Sequence, residues 1–172
     1  MVTADGFSVV SVRSPDQVIA PGGYHLAVAE GMLSSDVNHP RRRSPFAVAV
    51  RGLFDELGLV ADVDCPKNYD FSESDLRCLG LVLDTLRIQP MLFFHLCTKL
   101  KFADVYARWL SAKDRPENRN LIPVRWDRTT AEYLVRGVIR GVTIQSRPVE
   151  LKASSNHAQA GFALAAKFAF GS

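Results

Sequence analysis

The chain has 172 residues, a hydrophobic fraction of 47%, a charged fraction of 23% and a formal net charge of +3, values that predict one globular domain over 1–172 with a substantial core. The charge is too small to indicate nucleic-acid binding, and no apolar run approaches the length of a membrane span, so we expect neither partner. The cysteines (Cys65, Cys78, Cys97) are odd in number without metal-type spacing, and the amino terminus lacks a signal pattern, so we expect a cytoplasmic location.

Two strands are predicted before the first long helix. Residues 7–13 form an apolar-rich run, and turn-forming residues follow it at 14–16 and 21–23. The segment 24–30 is then predicted to be a second strand.

The next segment has the start, the face and the end of a helix. Ser44 is a good N-cap and Pro45 suits the first helical position. Gly58 stands where a left-handed C-cap is expected, before an extended run that starts at Leu59. Between these ends, five residues recur at helical spacing and predict one apolar stripe: Phe46, Val50, Leu53, Phe54 and Leu57.

Strands and helices are predicted to follow one another over the middle of the chain. Apolar runs at 78–88 and 91–98 predict two neighbouring antiparallel strands. Aromatic and aliphatic residues at helical spacing predict a helix within 102–110. A short strand is expected at 120–126.

Two helices are predicted near the carboxyl end. Thr129 or Thr130 is a candidate cap for the first helix, whose apolar face would carry Leu134, Val135, Val138 and Ile139. The second helix, rich in Ala and Phe, is predicted over 155–169. It is expected either to cover the core or to contact a partner protein or a further domain.

The end of the 44–57 helix carries the residues best suited to chemistry. Arg51 and Asp55 are four residues apart, so they share a helix face and can pair. Asp55 and Glu56 place two oxygen donors near a helix end. Such donors can hold a hard divalent cation, above all Mg²⁺, which commonly uses few carboxylates together with substrate phosphates.

This segment resembles the Nudix box of the Nudix hydrolase superfamily, written G-x5-E-x7-R-E-U-x-E-E-x-G-U with U a bulky aliphatic residue. Arg51 matches the family arginine, Asp55 and Glu56 match the acidic pair, and Gly58 with Leu59 closes the box. The first glutamate after the arginine is replaced by Gly52. The upstream glycine and glutamate of the box are replaced by Val37 and Arg43.

The resemblance implies an α/β fold, a Nudix-like α/β/α sandwich with a mixed β-sheet, strongest over 7–140. It implies Mg²⁺ or Mn²⁺ as the cofactor if the chain is catalytic, with Glu56 and Asp55 as catalytic acids and Arg51 orienting them. The implied metal ligands are Asp55 and Glu56, with Glu30 as a candidate replacement for the acid missing at Gly52.

Charged residues outside the box have two interpretations each. Arg42 and Arg43, in the arginine run before Ser44, would attract phosphates toward the helix start, or else form an ordinary solvated loop. Asp114 and Glu117 would assist a metal site from a later loop, or else form a charged turn.

The histidines lack the close spacing of a zinc site. His95 lies within an apolar strand and is expected to be a core residue with satisfied hydrogen bonds. His25 would face either a cleft or solvent. Cys97 has no evident base beside it in the sequence and is not expected to be a nucleophile.

Two hypotheses for function share this fold. In the first, the domain binds a nucleotide or nucleoside-diphosphate ligand with weak or no hydrolysis, because the box has no acid at Gly52. In the second, the chain is an active divergent Nudix hydrolase that uses Mg²⁺ to cleave a nucleoside diphosphate linked to another group.

Overall fold

Helices and strands occur together along the whole chain, which makes this an α/β protein. The computed structural model describes residues 1–16, 21–40, 44–85, 88–144, 147–153 and 155–171. The strands are β1 Phe7–Arg13, β2 Tyr24–Leu26, β3 Leu76–Asp84, β4 Gln89–Leu96, β5 Asn118–Arg125, β6 Val138–Ile144 and β7 Arg147–Lys152. The helices are α1 Ser34–Val37, α2 Ser44–Leu57, α3 Phe102–Trp109, α4 Arg128–Val135 and α5 Asn156–Phe170.

The strands form one three-stranded sheet and two hairpins. The sheet has the order β2-β1-β5, and the hairpins are β3–β4 and β6–β7. Each of these pairings is antiparallel. Isolated parallel bridges, Val2 with Cys97 and Tyr24 with Ala153, connect the sheet region to the hairpins. Among the described residues, parallel contacts therefore occur only as single bridges, and the mixed sheet expected from the sequence is not seen in the strand pairs.

Alternate residues of β1 pack into two different hydrophobic clusters, because neighbouring side chains of a strand point to opposite faces. Val9 joins a cluster with residues of α2 and α3, including Leu53 and Trp109. Val10 joins a second cluster with residues of α4 and α5, including Phe162. Helices thus cover both faces of the central sheet.

The second strand is shorter than the sequence predicted. It ends at Leu26, and the predicted extension to residue 30 is wrong. The backbone N–H of Ala29 donates to the Glu56 carboxylate at 2.8 Å instead of to a neighbouring strand. A side chain of α2 therefore satisfies this donor and draws the segment away from the sheet.

Helix α2 has the predicted ends, and one of its predicted core residues is misplaced. The helix begins at Ser44, and Gly58 follows it with a φ of 69°. Val50, Leu53 and Leu57 are buried as predicted, but Phe54 is 53% exposed. Asp55 and Glu56 are buried in its place, so the buried face of the helix is turned toward the acids.

The helix predicted to run through Val138 and Ile139 ends earlier. Helix α4 stops at Val135, and Gly137, with a φ of 81°, turns the chain into β6. The cap is Asp127, whose carboxylate accepts from Thr130 N–H at 2.8 Å, rather than either threonine. The hairpin β6–β7 was not predicted, because its apolar residues fit helical spacing equally well.

Helix α5 occupies the place predicted for a carboxyl-terminal helix. It buries Ala158, Gly161 and Phe162 against the rest of the chain and leaves Phe168 55% exposed. A role for its outer face in binding a partner stays a prediction. Within the described segments, no helix is both long enough and apolar enough to cross a membrane.

Candidate functional site

Arg51 joins α2 to the segment that precedes it. Its Nε donates to Asp36 Oδ1 at 3.1 Å, and its Nη2 donates to Asp36 Oδ2 at 2.9 Å. Its Nη1 lies 2.8 Å from Glu30 Oε2, and Nη2 donates to the carbonyl of Gly31. The predicted pair with Asp55 is present at 3.8 Å. Arg51 therefore anchors the 30–36 segment more closely than it orients Asp55.

Asp36 is the member of this network that the sequence did not indicate. Its carboxylate is buried and also accepts from the backbone N–H of Leu33 at 2.7 Å. Hydrogen bonds from Arg51 hold the pKa of this carboxyl below its usual range. Nothing in the pattern of residues links positions 36 and 51, so only the folded chain reveals the pair.

Three acids from three parts of the chain meet at the end of α2. Glu30, Asp55 and Asp114 each offer a carboxylate oxygen, and these oxygens lie within 4.8 Å of one another. The backbone also joins two of them, since Asp114 N–H donates to the Asp55 carbonyl at 2.9 Å. A cluster of this kind has the oxygen donors that a hard divalent cation prefers.

The same cluster is partly neutralised by cations of the chain itself. Lys113 Nζ lies 3.3 Å from Asp55 Oδ1, and Arg51 pairs with both Glu30 and Asp55. A divalent cation would have to compete with these ion pairs. Despite these ion pairs, two of the three predicted metal ligands, Glu30 and Asp55, lie together with Asp114 from the later loop.

Glu56, the third predicted ligand, has a different environment. It is 6% exposed, and its Oε1 accepts the hydrogen bond from Ala29. Burial, helped by the negative charges of Glu117 and Glu30, raises the pKa of Glu56 to about 8. At neutral pH this carboxyl is therefore mostly protonated. Coordinating a cation would require it to lose that proton.

Gly52 is in close contact with the segment that carries Glu30. A Cβ added at Gly52 would lie 2.7 Å from Val28 Cγ1 and 3.0 Å from Glu30 Cβ. The glycine lets the helix approach this segment closely, so it has a packing role of its own. A glutamate at this position would not fit without moving Val28.

The predicted phosphate-binding arginines, Arg42 and Arg43, lie outside the described residues. They directly precede Ser44, the first residue of α2. Pro45 and Val48, in the first turns of that helix, line a mainly apolar cavity, so the helix start lies at this cavity.

This cavity has a volume of about 610 Å³ and lies among β1, β2, the first half of α2, the β3–β4 hairpin and α5. Its walls are mainly apolar, and Glu30 is one of the residues that line it. Glu30 also belongs to the acidic cluster, so the cavity and the cluster share this residue. This size and lining are typical of sites for small molecules.

Two buried histidines line the cavity. His25 is 9% exposed and His95 is 4% exposed. Burial lowers the pKa of each imidazole to about 4, so both are neutral at neutral pH. His95 is a core residue as predicted. Its Nε2, however, has no hydrogen-bond partner among the described residues, so the prediction that its hydrogen bonds would be satisfied is wrong.

The other nitrogen of His95 has a weak neighbour. Its Nδ1 lies 3.9 Å from Cys97 Sγ. Cys97 is exposed and His95 is uncharged, so the contact gives no sign of an activated thiolate.

The site as a whole thus combines a cluster of carboxylates with an apolar cavity that contains two neutral imidazoles. Comparison with known proteins adds no relative, since no family model matches the chain and no curated protein matches it.

Proposed function

We propose that this chain binds a nucleotide or nucleoside-diphosphate ligand with weak or no hydrolysis. The observation that carries the proposal is the position of Glu30, which both lines the cavity and belongs to the acidic cluster. A ligand whose uncharged part occupies the cavity would have its phosphates beside Glu30, Asp55 and Asp114. These three acids would hold Mg²⁺ or Mn²⁺, which would supply positive charge for the phosphates.

The proposal includes a Nudix-like α/β/α sandwich. It is supported by the two hydrophobic clusters on opposite faces of the β2-β1-β5 sheet, one with α2 and α3 and one with α4 and α5. It is also supported by the position of the box-like segment, whose acids lie at the end of α2 next to the cavity. A phosphate-binding role for Arg42 and Arg43, which lie outside the described residues, stays a prediction from the sequence.

Binding is favoured over hydrolysis by the state of the acids. Gly52 provides no carboxylate, and the close approach of Val28 leaves no room for one. Glu56 is protonated at neutral pH and bound to Ala29, so it is poorly suited to activate water. Lys113 and Arg51 already pair with Asp55. A site in this state can bind a cation with its ligand more readily than it can drive a displacement.

Calorimetric titration of the purified chain tests this proposal. The probes are a nucleotide-sugar, a dinucleotide and a nucleoside triphosphate, each with and without Mg²⁺. We expect binding that Mg²⁺ strengthens, with no release of phosphate or nucleoside monophosphate. Absence of binding by every probe would overturn the proposal.

A pair of variants separates contact with the ligand from anchoring of the 30–36 segment. Glu30→Gln and Asp36→Asn each remove one carboxylate partner of Arg51, but only Glu30 belongs to the cluster and the cavity wall. Glu30→Gln is expected to abolish the gain in ligand affinity that Mg²⁺ gives, whereas Asp36→Asn, which leaves the ion pair of Arg51 with Glu30 in place, should lose much less of it. An equal loss of the Mg²⁺ effect in both variants would mean that Glu30 only helps Arg51 to hold the 30–36 segment and does not contact the cation.

The second candidate function is hydrolysis by a divergent active site. It is favoured by one observation, the meeting of Asp114 with Glu30 and Asp55, because a third acid would compensate for Gly52. Turnover of the same probes with Mg²⁺ or Mn²⁺, lost in both Asp55→Asn and Asp114→Asn, would support it. Turnover unchanged by Glu56→Gln would remove Glu56 from the catalytic acids.

A further inference from the structure

We propose that the ligand carries an aliphatic chain on its diphosphate and that this chain fills the cavity. The inference rests on the proposed function and names the chemical class of the group that the diphosphate bears. The chain would enter beside Glu30, the lining residue that also belongs to the acidic cluster.

The lining residues that leave the most apolar surface uncovered are aliphatic. Met32, Leu81 and Leu92 all line the cavity, and all three are exposed. Exposed apolar surface gathered at one cavity is typical of a site for an apolar group. A hydrocarbon chain lying on these side chains would remove their surface from water, which the hydrophobic effect favours in proportion to the area.

The aromatic rings of the wall already pack inside the protein. Phe93 and Phe162 line the cavity but are buried, and Phe162 packs against the ring of Tyr24. Phe94 packs edge-on against Phe46, with ring centroids 5.2 Å apart. The surface that remains for a ligand is therefore mainly aliphatic, and it suits a hydrocarbon chain better than a stacked flat ring.

The wall is also adaptable rather than precisely polar. Met32 and Met91 line the cavity, and a methionine side chain is unbranched, so it adjusts its shape to a flexible partner. A site for a polar ring usually has accessible polar groups that fix the orientation of the ring. Nε2 of His95 does not serve this purpose, because it is buried beyond the reach of a ligand.

Calorimetric titration with esters of adenosine 5′-diphosphate tests recognition of the chain. The probes are the methyl, butyl and octyl esters, with n-octyl phosphate as the nucleoside-free counterpart, each below its micelle concentration. We expect affinity to rise about two- to fourfold for each methylene that enters the cavity. The heat-capacity change of binding should become more negative along the same series. Equal affinities of the methyl and octyl esters would overturn the inference.

Two leucines of β3 provide a matched pair of surface variants. Leu81 is 65% exposed and lines the cavity, whereas Leu83 is 55% exposed and does not line it. Leu81→Asn should reduce the preference for the octyl ester over the methyl ester about fivefold, and Leu83→Asn should leave this preference unchanged. The same loss in both variants would place the chain on the outer surface of the hairpin and would contradict the inference.

A second pair of variants fills the cavity itself. Val48→Trp adds a large side chain to the cavity from α2, and Ala103→Trp adds the same side chain to the exposed surface of α3. Only Val48→Trp should abolish the preference for the octyl ester, while the methyl ester still binds through its phosphates. An undiminished octyl preference in Val48→Trp would show that the chain binds elsewhere.

The outcomes distinguish this inference from the proposed function. If nucleotide-sugars bind with Mg²⁺ but the methyl and octyl esters bind equally, the inference is wrong and the function stands. If n-octyl phosphate binds in the cavity but neither the nucleoside nor Mg²⁺ adds affinity, the chain site stands and the function is wrong. If no probe binds at concentrations up to about 1 mM, both are overturned.

Vesicles of phosphatidylcholine separate a free ligand from a membrane as the source of the chain. We expect no sedimentation of the protein with them, because the proposed chain is part of a free diphosphate ester. Sedimentation with vesicles without binding of any octyl probe would mean that the exposed leucines contact a membrane surface, and it would overturn the inference.

Discussion

Arg51 and Asp36 form a two-point contact, with Arg51 Nε 3.1 Å from Oδ1 and Nη2 2.9 Å from Oδ2 of the same carboxylate. A planar guanidinium matches a carboxylate in this way, and a lysine cannot reproduce both bonds. The contact holds the 30–36 segment against α2. It therefore positions Glu30, which connects the cavity with the acidic cluster.

Replacing Arg51 is expected to release this segment. Arg51→Met should lower the free energy of unfolding by about 2 kcal/mol, since it leaves the buried Asp36 without its charged partner. Hydrogen exchange of the amides at 30–36 should rise, and Arg51→Lys should give a smaller effect. Arg136→Met, which removes an exposed ion pair with Glu132, serves as the control and should change stability little. Unchanged exchange at 30–36 in Arg51→Met would contradict the anchoring role.

The pH dependence of this contact follows from the lowered pKa of Asp36. A lowered pKa in the folded state gives stability that is present above the usual value of 3.8 and is lost as the pH falls below it. Wild-type protein should therefore lose stability relative to Asp36→Asn on acidification below about pH 4. Denaturant titrations at several pH values measure this difference. Parallel curves for the two proteins would refute it.

Glu56 should have the opposite pH dependence. Its pKa rises from 4.5 to about 8 on folding, so the folded state holds a proton that the unfolded state loses, and stability falls as the pH rises through this interval. Glu56→Gln keeps a neutral acceptor for Ala29. It should gain about 3 kcal/mol relative to wild type between pH 5 and pH 8. Chemical denaturation at the two pH values is the measurement, and a pH-independent difference would mean that Glu56 is ionised in the fold.

The packing of Gly52 against Val28 predicts the effect of adding a side chain. Gly52→Ala should destabilise the protein by about 1–2 kcal/mol, because the 2.7 Å contact with Val28 Cγ1 outweighs the better helix propensity of alanine. The double variant with Val28→Ala should be less destabilised than the two single effects together. Thermal unfolding of the four proteins of this cycle gives the coupling. Strict additivity would show that Val28 is not the obstacle.

Alanine substitutions at two glycines with similar backbone angles distinguish the cost of backbone strain from the cost of a steric clash. Gly58 and Gly171 both follow helices in the left-handed region, with φ of 69° and 67°. A Cβ at Gly58 would lie 2.8 Å from the carbonyl oxygen of Arg108, whereas a Cβ at Gly171 would meet no atom of the described residues within 4 Å, its two chain neighbours aside. Gly171→Ala should cost about 1 kcal/mol or less, from backbone strain alone. Gly58→Ala should cost more than about 2 kcal/mol. Similar losses in the two unfolding curves would show that α3 can move away.

Sequence patterns over a few residues correctly predicted helices and strands whose ends are set by residues adjacent in sequence. Helix α2 begins at Ser44 and is followed by a left-handed Gly58, as the cap signals indicated. The apolar run of β1 also has the predicted bounds. The same reasoning failed beyond Gly137, because Val138 and Ile139 fit helical spacing while the glycine turns the chain into a hairpin.

The sequence likewise predicted some features of the candidate site and not others. The sequence indicated Asp55, Glu56 and Glu30 as ligands, since their residue types suit a cation. It did not predict that burial would leave Glu56 protonated, and it left open whether Asp114 would assist a metal site or form a charged turn. These outcomes depend on which segments pack against the end of α2, and no local pattern determines that.

The amino-acid sequence by itself determined the capped helix that carries Arg51, Asp55 and Glu56, because caps and helical spacing act within a few residues. Tertiary structure decided the ionic partners of that helix, the contact that requires Gly52, and the unpaired nitrogen of His95 in the cavity. The physical reason is that burial and charge pairing act between groups distant in sequence. Only the packed chain brings Asp36 to Arg51, or Phe168 to His95.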